Sequence, residues 1–300
     1  MNRRQSLTKL ASLTALPFFT NMTMNQSLLQ RTIPSTGEKL PAIGVGTWQT
    51  FNVGAAESDR KPLKDVLQKM IGMGSKVIDS SPMYGNSEGV VGDLSVEAGV
   101  NEKLFIATKV WTSGEDEGIR QMNQSFDLLK RKKMDLMQVH NLVDWQTHIK
   151  TLRKWKEEGK VKYIGITHYT DNSHGTLANI IKNNPIDFVQ VNYNLADWNA
   201  EKELFPVAVE RKVAIIVNRP FEEGTLFQRV KGKELPAWAA DFDCKSWAQF
   251  FLKFILSHPA VICTIPGTSN ITHLVDNLGA AMGKLPDGKQ RDQMKSYFRL

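Results

Sequence analysis

The sequence predicts an α/β protein, a (β/α)8 TIM barrel preceded by an N-terminal β-hairpin. Eight short apolar runs alternate with longer amphipathic segments, a pattern typical of parallel βα units. The length of 300 residues, with 41% hydrophobic and 23% charged residues, provides a sizeable core and excludes disordered, collagen-like and small disulfide-rich proteins. A doubly wound sheet is the competing fold. It is less favoured because neither a Gly-x-Gly-x-x-Gly turn nor a GxxxxGK[ST] loop occurs.

The predicted strands are short, apolar or β-branched, and bounded by turn residues or charges. They are residues 42–46, 76–79, 104–109, 135–140, 162–167, 188–191, 213–218 and 261–266. The predicted helices have apolar residues at helical spacing and are residues 61–73, 118–130, 147–158, 176–183, 202–210, 246–257 and 271–282, with a final helix after residue 285. Before the first strand, residues 28–33 and 38–40 flank Pro34-Ser35-Thr36-Gly37, which predicts a hairpin on the barrel floor.

The first 25 residues are expected to be separate from the barrel, which takes residues 26–300. Arg3 and Arg4 precede an apolar stretch at residues 10–19, an arrangement that resembles a bacterial twin-arginine export signal. This stretch is too short to span a bilayer, so no stable membrane insertion is expected. The resemblance implies a periplasmic protein. The alternative is a cytoplasmic protein with a flexible N-terminus that starts at Met22 or Met24.

The charge distribution does not favour a nucleic-acid partner. The 38 basic and 31 acidic residues give a net charge of +7, but Arg3, Arg4 and Lys9 precede every acidic residue, so the rest of the chain carries about +4. That charge is compatible with a small anionic ligand. The two cysteines, Cys244 and Cys263, have no metal-ligand spacing, and no metal site is expected.

Polar residues follow three consecutive predicted strands. Asp79, Lys109 and His140 end the second, third and fourth strands, and Tyr84 follows Asp79 closely. The carboxyl ends of the strands face the active site in a barrel of this kind. A lysine that ends an apolar strand must reach water or a carboxylate, and Asp79 is placed to supply one. We therefore expect these four side chains to meet at one rim.

Four segments around these residues resemble the aldo-keto reductase superfamily. They are residues 77–88 (VIDSSPMYGNSE), 105–111 (FIATKVW), 134–141 (MDLMQVHN) and 265–270 (IPGTSN), in the order found in that family. The resemblance covers about residues 28–285. It implies a nicotinamide-dependent oxidoreductase that reduces aldehyde or ketone carbonyls to alcohols.

The resemblance assigns a role to each of the four rim residues. Tyr84 is expected to be the general acid that protonates the carbonyl oxygen as hydride arrives. The ammonium of Lys109 is expected to stabilise the phenolate and lower the pKa of Tyr84, and Asp79 to keep Lys109 charged and oriented. His140 is expected to hydrogen-bond the carbonyl oxygen.

The expected cofactor is NADPH, with NADH possible, because the resemblance is only partial at the cofactor positions. Thr167 and His168 stand where the family has a serine-asparagine pair for the nicotinamide amide, Gln190 matches its glutamine, and Asn218 replaces a stacking tyrosine. Arg219 is expected to reach the pyrophosphate. The remaining cofactor-binding candidates are Gly267, Thr268 and Ser269 at the adenosine phosphate, His273, and Asp276 and Asn277 at adenine. Gly267 and His273 replace a lysine and an arginine of NADPH-preferring members.

Three tryptophans are candidates for an apolar substrate mouth. Trp48, Trp111 and Trp145 each follow a predicted strand whose end faces the site. We expect a fairly open site for small aldehydes or ketones. A second hypothesis is a non-catalytic barrel that binds the nicotinamide cofactor and acts as a sensor or partner subunit.

Overall fold

The computed structural model describes residues 27–299, in which eight parallel strands form a nearly closed barrel. The strands are β1 (Gln30–Thr32), β2 (Lys39–Pro41), β3 (Val45–Gly46), β4 (Val77–Asp79), β5 (Phe105–Val110), β6 (Met134–His140), β7 (Val161–Thr167), β8 (Phe188–Asn192), β9 (Ala214–Asn218) and β10 (Val261–Thr264). The antiparallel pair β1–β2 precedes the barrel strands β3–β10. The predicted fold is confirmed. The predicted N-terminal export segment lies outside the described residues.

Each barrel strand pairs in parallel with the next strand along the chain, from β3 to β10. The ring is completed by bridges that join Ile43 to Thr264 and Gly46 to Gly267. The backbone N–H of Gly44 donates to the Thr264 carbonyl at 2.9 Å, and the N–H of Thr264 donates to the Ala42 carbonyl at 2.9 Å. Backbone hydrogen bonds between the segments that contain the first and last barrel strands therefore close the ring.

The hairpin closes the N-terminal end of the barrel. Ile33 and Leu40 have no exposed surface and pack in the barrel interior with Phe105, Tyr163 and Phe188. The Tyr163 hydroxyl also donates to Glu38 of the hairpin at 2.7 Å. Because this end is filled, the opposite end, where the carboxyl ends of the strands lie, is available for a site.

Ten α-helices occur within residues 27–299. They are α1 (Glu57–Gly72), α2 (Ser87–Glu97), α3 (Glu115–Leu128), α4 (Trp145–Glu157), α5 (His174–Asn183), α6 (Leu204–Glu210), α7 (Thr225–Arg229), α8 (Trp247–Leu256), α9 (Ile271–Gly279) and α10 (Gly288–Arg299). Each predicted helix overlaps one of them, but α2 and the short α7 were not predicted. None of the helices in the described part of the chain is long and apolar enough to cross a membrane.

Helix α2 lacks the sequence pattern by which the other helices were predicted. Its buried positions include a glutamate, two serines and a glycine beside its apolar residues, so no apolar stripe stands out against a polar face. Glu88 is buried and accepts hydrogen bonds from the Thr108 hydroxyl and, at 3.0 Å, from the Ser125 hydroxyl. These polar contacts attach α2 to β5 and α3.

The close approach of α2 to α3 requires a glycine at position 92. A Cβ atom there would overlap the Leu128 carbonyl oxygen, whereas a Cβ atom at Gly89 would lie 3.6 Å from Leu128 Cδ2. We expect Gly92→Ala to lower the free energy of unfolding by about 3 kcal/mol, because the backbone has to move to relieve the overlap.

Gly89→Ala in the same helix is the matched control for urea unfolding. It is expected to be neutral or stabilising by up to about 1 kcal/mol, because alanine is the better helix former. Equal losses in the two variants would contradict the packing argument.

Candidate active site

The segment after β4 turns back sharply and brings Tyr84 over the barrel. The backbone N–H of Tyr84 donates to the Ser81 carbonyl at 3.0 Å, which closes a four-residue turn with Pro82 in its second position. Proline favours that position because its fixed φ angle matches the turn. Gly85 follows with a φ of 60°, which glycine adopts without strain.

Lys109 and Asp79 form a buried ion pair below this turn. Lys109 has no exposed surface, and its Nζ donates to Asp79 Oδ1 at 2.6 Å and to the Ser80 carbonyl at 2.6 Å. Burial acts to lower the pKa of Lys109, but the Asp79 carboxylate and the Tyr84 hydroxyl raise it by more, so the pKa lies above its ordinary value. Lys109 is therefore a permanent positive charge within the barrel.

The second oxygen of Asp79 connects this pair to two predicted cofactor residues. Asp79 Oδ2 accepts a hydrogen bond from Gln190 Nε2 at 2.8 Å, and Gln190 Oε1 accepts one from the Thr167 hydroxyl at 3.0 Å. Gln138 Nε2 also lies 3.5 Å from Asp79 Oδ2. Side chains from β4 to β8 thus form one polar layer across the top of the barrel.

Tyr84 lies beside the ammonium of this layer. Lys109 Nζ is 5.1 Å from the centroid of the Tyr84 ring. Burial raises the pKa of Tyr84, and although the charge of Lys109 lowers it, the pKa stays above its ordinary value. The sequence-based expectation of a lowered pKa is therefore wrong, because desolvation of the phenolate outweighs the attraction of Lys109. Tyr84 is a protonated phenol at neutral pH.

His140 completes the group of four. Its ring centroid lies 5.8 Å from that of Tyr84, with the rings nearly perpendicular, and 6.5 Å from that of Trp111. Burial and the nearby charge of Lys109 lower the pKa of His140 to about 2. The imidazole is therefore neutral at physiological pH. The structure brings all four predicted catalytic residues together.

The last residue of β9 and the loops after β7 and β9 hold three further cofactor candidates in one cluster. The His168 ring stacks on Tyr169 at 5.4 Å, and Asn218 Nδ2 donates to the His168 carbonyl at 3.1 Å. The Arg219 guanidinium donates to Glu222 at 2.7 Å and lies 3.4 Å from a carboxylate oxygen of Glu223. Arg219, predicted to reach a pyrophosphate, is thus already paired with two carboxylates.

The backbone of the loops after β6 and β9 is strained. Asn141, Leu142 and Asp144 after β6, and Arg219, Glu222 and Glu223 after β9, all have positive φ angles. Non-glycine residues adopt this conformation only where the surroundings compensate for it, and such residues concentrate at functional sites. These six residues lie at the same end of the barrel as the four catalytic candidates, whereas Lys130 and Lys212, which precede β6 and β9, have positive φ angles at the opposite end.

The start of α9 carries most of the adenosine-side candidates. Gly267, Ser269 and His273 are exposed, whereas Thr268 is buried. The Asn270 side chain caps the helix by accepting from the backbone N–H groups of residues 272 and 273. These two N–H groups are therefore already paired.

The last two adenosine-side candidates face the protein. Asp276 accepts from the Ser246 hydroxyl at 2.7 Å and from Gln249 Nε2 at 2.8 Å, which ties α9 to α8, and Asn277 is buried. Their predicted contact with adenine remains a prediction.

Exposed apolar side chains lie on the loops that follow the barrel strands. Trp48 and Trp111 are 43% and 42% exposed, whereas Trp145, at the start of α4, is half-buried and packs against the core. Met83 and Tyr169, which were not predicted, are also exposed, by 39% and 45%. Met83 precedes Tyr84 and Tyr169 follows His168 in the sequence, and both Tyr84 and His168 were predicted site residues. This position in the sequence could have indicated that Met83 and Tyr169 also lie at the site.

Within residues 27–299 there is no group of three or more His, Cys, Asp or Glu side chains that could hold a metal ion.

Comparison with known proteins decides the family. A model of the Aldo/keto reductase family matches residues 42–294. The chain belongs to the aldo/keto reductase family. Membership makes it an oxidoreductase and agrees with the resemblance found in the sequence.

Relatives in this family include enzymes named for small dicarbonyl substrates. Methylglyoxal reductase YeaE of Escherichia coli (strain K12) is 27% identical over 276 residues, which cover 89% of this chain and 95% of the relative. Glyoxal reductase of Bacillus subtilis (strain 168) is 25% identical over 249 residues, covering 80% and 83%. The fold is shared with an aldo/keto reductase of Klebsiella pneumoniae crystallised with NADP and acetate, with a TM-score of 0.74, 23% identity and coverage of 90% and 96%.

The buried ion pair of this aldo/keto reductase gives a stability prediction. Asp79→Asn keeps the shape of the side chain but leaves the charge of Lys109 without its carboxylate. We expect a loss of about 3–5 kcal/mol in the free energy of unfolding, measured in urea at neutral pH, because an uncompensated buried charge is strongly destabilising.

The exposed pair Lys64–Glu97, with an N–O distance of 2.5 Å, is the matched control. Glu97→Gln is expected to have little effect, because solvent screens surface ion pairs. A similar loss in both variants would show that burial does not govern the contribution of the Asp79–Lys109 pair.

Proposed function

We propose that this protein reduces the carbonyl group of small aldehydes or ketones to an alcohol with hydride from NADPH. The observation that carries the proposal is the arrangement of Tyr84 and neutral His140 beside the buried pair of Lys109 and Asp79. Membership of the aldo/keto reductase family supports it.

The four side chains supply what carbonyl reduction requires of the protein. A bound nicotinamide cofactor supplies the hydride, and negative charge then develops on the carbonyl oxygen. Tyr84, a protonated phenol at neutral pH, donates its proton to that oxygen. The Lys109 charge stabilises the phenolate that remains, and Asp79 keeps Lys109 charged and in place. Neutral His140 donates a hydrogen bond to the same oxygen.

The polar atoms near the ends of β7, β8 and β9 fit a nicotinamide carboxamide. Thr167 and Gln190 are buried and linked to Asp79, and they would hold the amide. Asn218 Oδ1 is buried and has no hydrogen-bond partner in the described part of the chain. A buried acceptor of this kind is unfavourable unless a ligand or water pairs with it, and the amide N–H group of nicotinamide would pair with it.

NADPH is the proposed cofactor, and NADH is the alternative. The structural neighbour from Klebsiella pneumoniae contains NADP, which supports NADPH. Gly267 and His273 stand where the family resemblance implies a lysine and an arginine for the 2′-phosphate. The hydroxyl of exposed Ser269 and backbone N–H groups other than those of residues 272 and 273, which Asn270 caps, would therefore have to bind it. Quenching of tryptophan fluorescence by NADPH and NADH measures this preference.

The proposed substrates are small carbonyl compounds. The related enzymes named for methylglyoxal and glyoxal support this class. The exposed Trp48 and Trp111 side chains, with Trp145 behind them, supply apolar walls for the carbon chain of the substrate.

Tyr84→Phe tests the assigned acid. We expect the variant to lose at least about 100-fold in kcat for NADPH-dependent reduction, because the proton donor is gone, while NADPH still quenches its fluorescence with an unchanged Kd. Tyr297→Phe, which removes a hydroxyl from α10, where the ring packs against Trp238 and Trp247, is the matched control and should keep its kcat.

Equal turnover by wild type and Tyr84→Phe would refute the role of Tyr84. Cofactor binding without turnover in the wild type would instead favour the non-catalytic sensor or partner subunit.

We also propose that the protein is exported to the periplasm in the folded state. The support is the sequence of the first 25 residues, with Arg3-Arg4 ahead of an apolar stretch. When the full chain is expressed in a bacterial host, the protein should be recovered from the periplasmic fraction. A variant with both Arg3→Lys and Arg4→Lys should remain in the cytoplasm, and an equal distribution of the two proteins would contradict the proposal.

A further inference from the structure

The side chain of Ser81 contacts the nitrogen of His140 that the proposed reaction does not use. Ser81 Oγ lies 3.0 Å from His140 Nδ1. Ser81 has no exposed surface and His140 is 5% exposed. Nε2, the other ring nitrogen, has no hydrogen-bond partner among residues 27–299, so it is the nitrogen free to bind a substrate.

The surroundings of Ser81 define the direction of this hydrogen bond. Its oxygen accepts the backbone N–H of Met83 at 3.4 Å, and within residues 27–299 its hydroxyl hydrogen has only His140 Nδ1 as an acceptor. If Nδ1 donated instead, that hydroxyl hydrogen would be buried without an acceptor, which is unfavourable. The hydroxyl hydrogen of Ser81 has an acceptor only if Ser81 donates to His140 Nδ1, so this is the direction of the hydrogen bond.

This direction leaves one place for the imidazole hydrogen. His140 is neutral, because burial and the charge of Lys109 lower its pKa to about 2. A neutral imidazole has one N–H group, and the nitrogen that carries it depends on the hydrogen bond at the other nitrogen. With Nδ1 as an acceptor, the hydrogen is on Nε2.

We propose that Ser81 is a positioning residue that holds His140 in the Nε2–H tautomer, so that His140 can donate a hydrogen bond to the carbonyl oxygen of the substrate. The role in reduction rests on the proposed function, whereas the tautomer itself does not. The same residue accepts the N–H of Tyr84 on its carbonyl. Ser81 therefore positions both groups that act on the carbonyl oxygen, one through its side chain and one through its backbone.

The tautomer can be measured directly by nitrogen NMR. Protein labelled with ¹⁵N-histidine gives separate chemical shifts for protonated and unprotonated ring nitrogens, and His140→Gln identifies the signals of His140. At neutral pH and without ligand, the wild type should show protonated Nε2 and unprotonated Nδ1. Protonated Nδ1 in the wild type would overturn the proposal, and this outcome requires no substitution of Ser81.

Substitutions separate the hydroxyl of Ser81 from its packing. Ser81→Ala should show both tautomers or the Nδ1–H form, and Ser81→Thr, which keeps a hydroxyl, should restore the wild-type shifts. Ser80→Ala is the control for the tautomer, because Ser80 Oγ accepts from Thr47 and does not contact His140. Unchanged His140 shifts in Ser81→Ala would overturn the proposal.

Kinetics then test the consequence for catalysis. Ser81→Ala should lower kcat roughly tenfold, less than the loss of about 10²- to 10³-fold expected when an oxyanion donor is removed altogether. NADPH binding should not change, and Ser81→Thr should recover most of the rate. A tautomer change with an unchanged kcat would refute the catalytic part alone. An inactive wild type with the Nε2–H tautomer would instead refute the proposed function and leave the tautomer assignment intact.

Discussion

The buried ion pair between Lys109 and Asp79 is the interaction on which the rest of the site depends. A lysine ammonium with no exposed surface needs several hydrogen-bond acceptors around it, and a carboxylate among them also balances its charge, which compensates for the loss of solvation. Asp79 supplies the carboxylate, and the Ser80 carbonyl supplies a second acceptor. Since Asp79 on β4 also accepts from Gln190 on β8, the need to satisfy one buried charge arranges side chains from well-separated strands across the top of the barrel.

Around this charge pair, the two groups that would contact a carbonyl oxygen are both neutral. Burial keeps the proton on Tyr84 and keeps a second proton off His140. Because Tyr84 is not ionised before the reaction, no phenolate neutralises the charge of Lys109 beforehand. That charge therefore remains available to stabilise the negative charge that forms during the reaction. The site is therefore prepared for charge that appears only as the carbonyl is reduced.

The sequence was informative where one physical requirement dominates. Buried parallel strands need apolar runs, so the barrel could be predicted, and a lysine that ends such a run needs water or a carboxylate, so the pair of Lys109 and Asp79 could be predicted too. The roles of Tyr84 and His140 followed from the resemblance to the aldo-keto reductase superfamily. Helix α2 could not, because its buried face is made partly of Glu88, serines and Gly92 and carries no apolar stripe.

The hydrogen bonds and ion pairs around these residues could not be predicted from the sequence either. The pairing of Arg219 with Glu222, and of Ser81 with His140, depends on side-chain directions in strained or tightly turned loops. The lowered pKa expected for Tyr84 was wrong because the sequence shows the nearby charge but not the depth of burial.

The closure of the barrel has a consequence for the order in which the protein is made and folded. The hydrogen bonds that complete the ring join Ala42 and Gly44 to Thr264. Residues near the start of the barrel therefore cannot form these bonds until the last barrel strand has been synthesised. The floor hairpin packs against the same interior, and Arg31 donates to the Leu256 carbonyl at 2.9 Å. Contacts across such separations close late and carry a large loop entropy. The ring, and the site at its upper end, therefore form only after nearly the whole chain has left the ribosome.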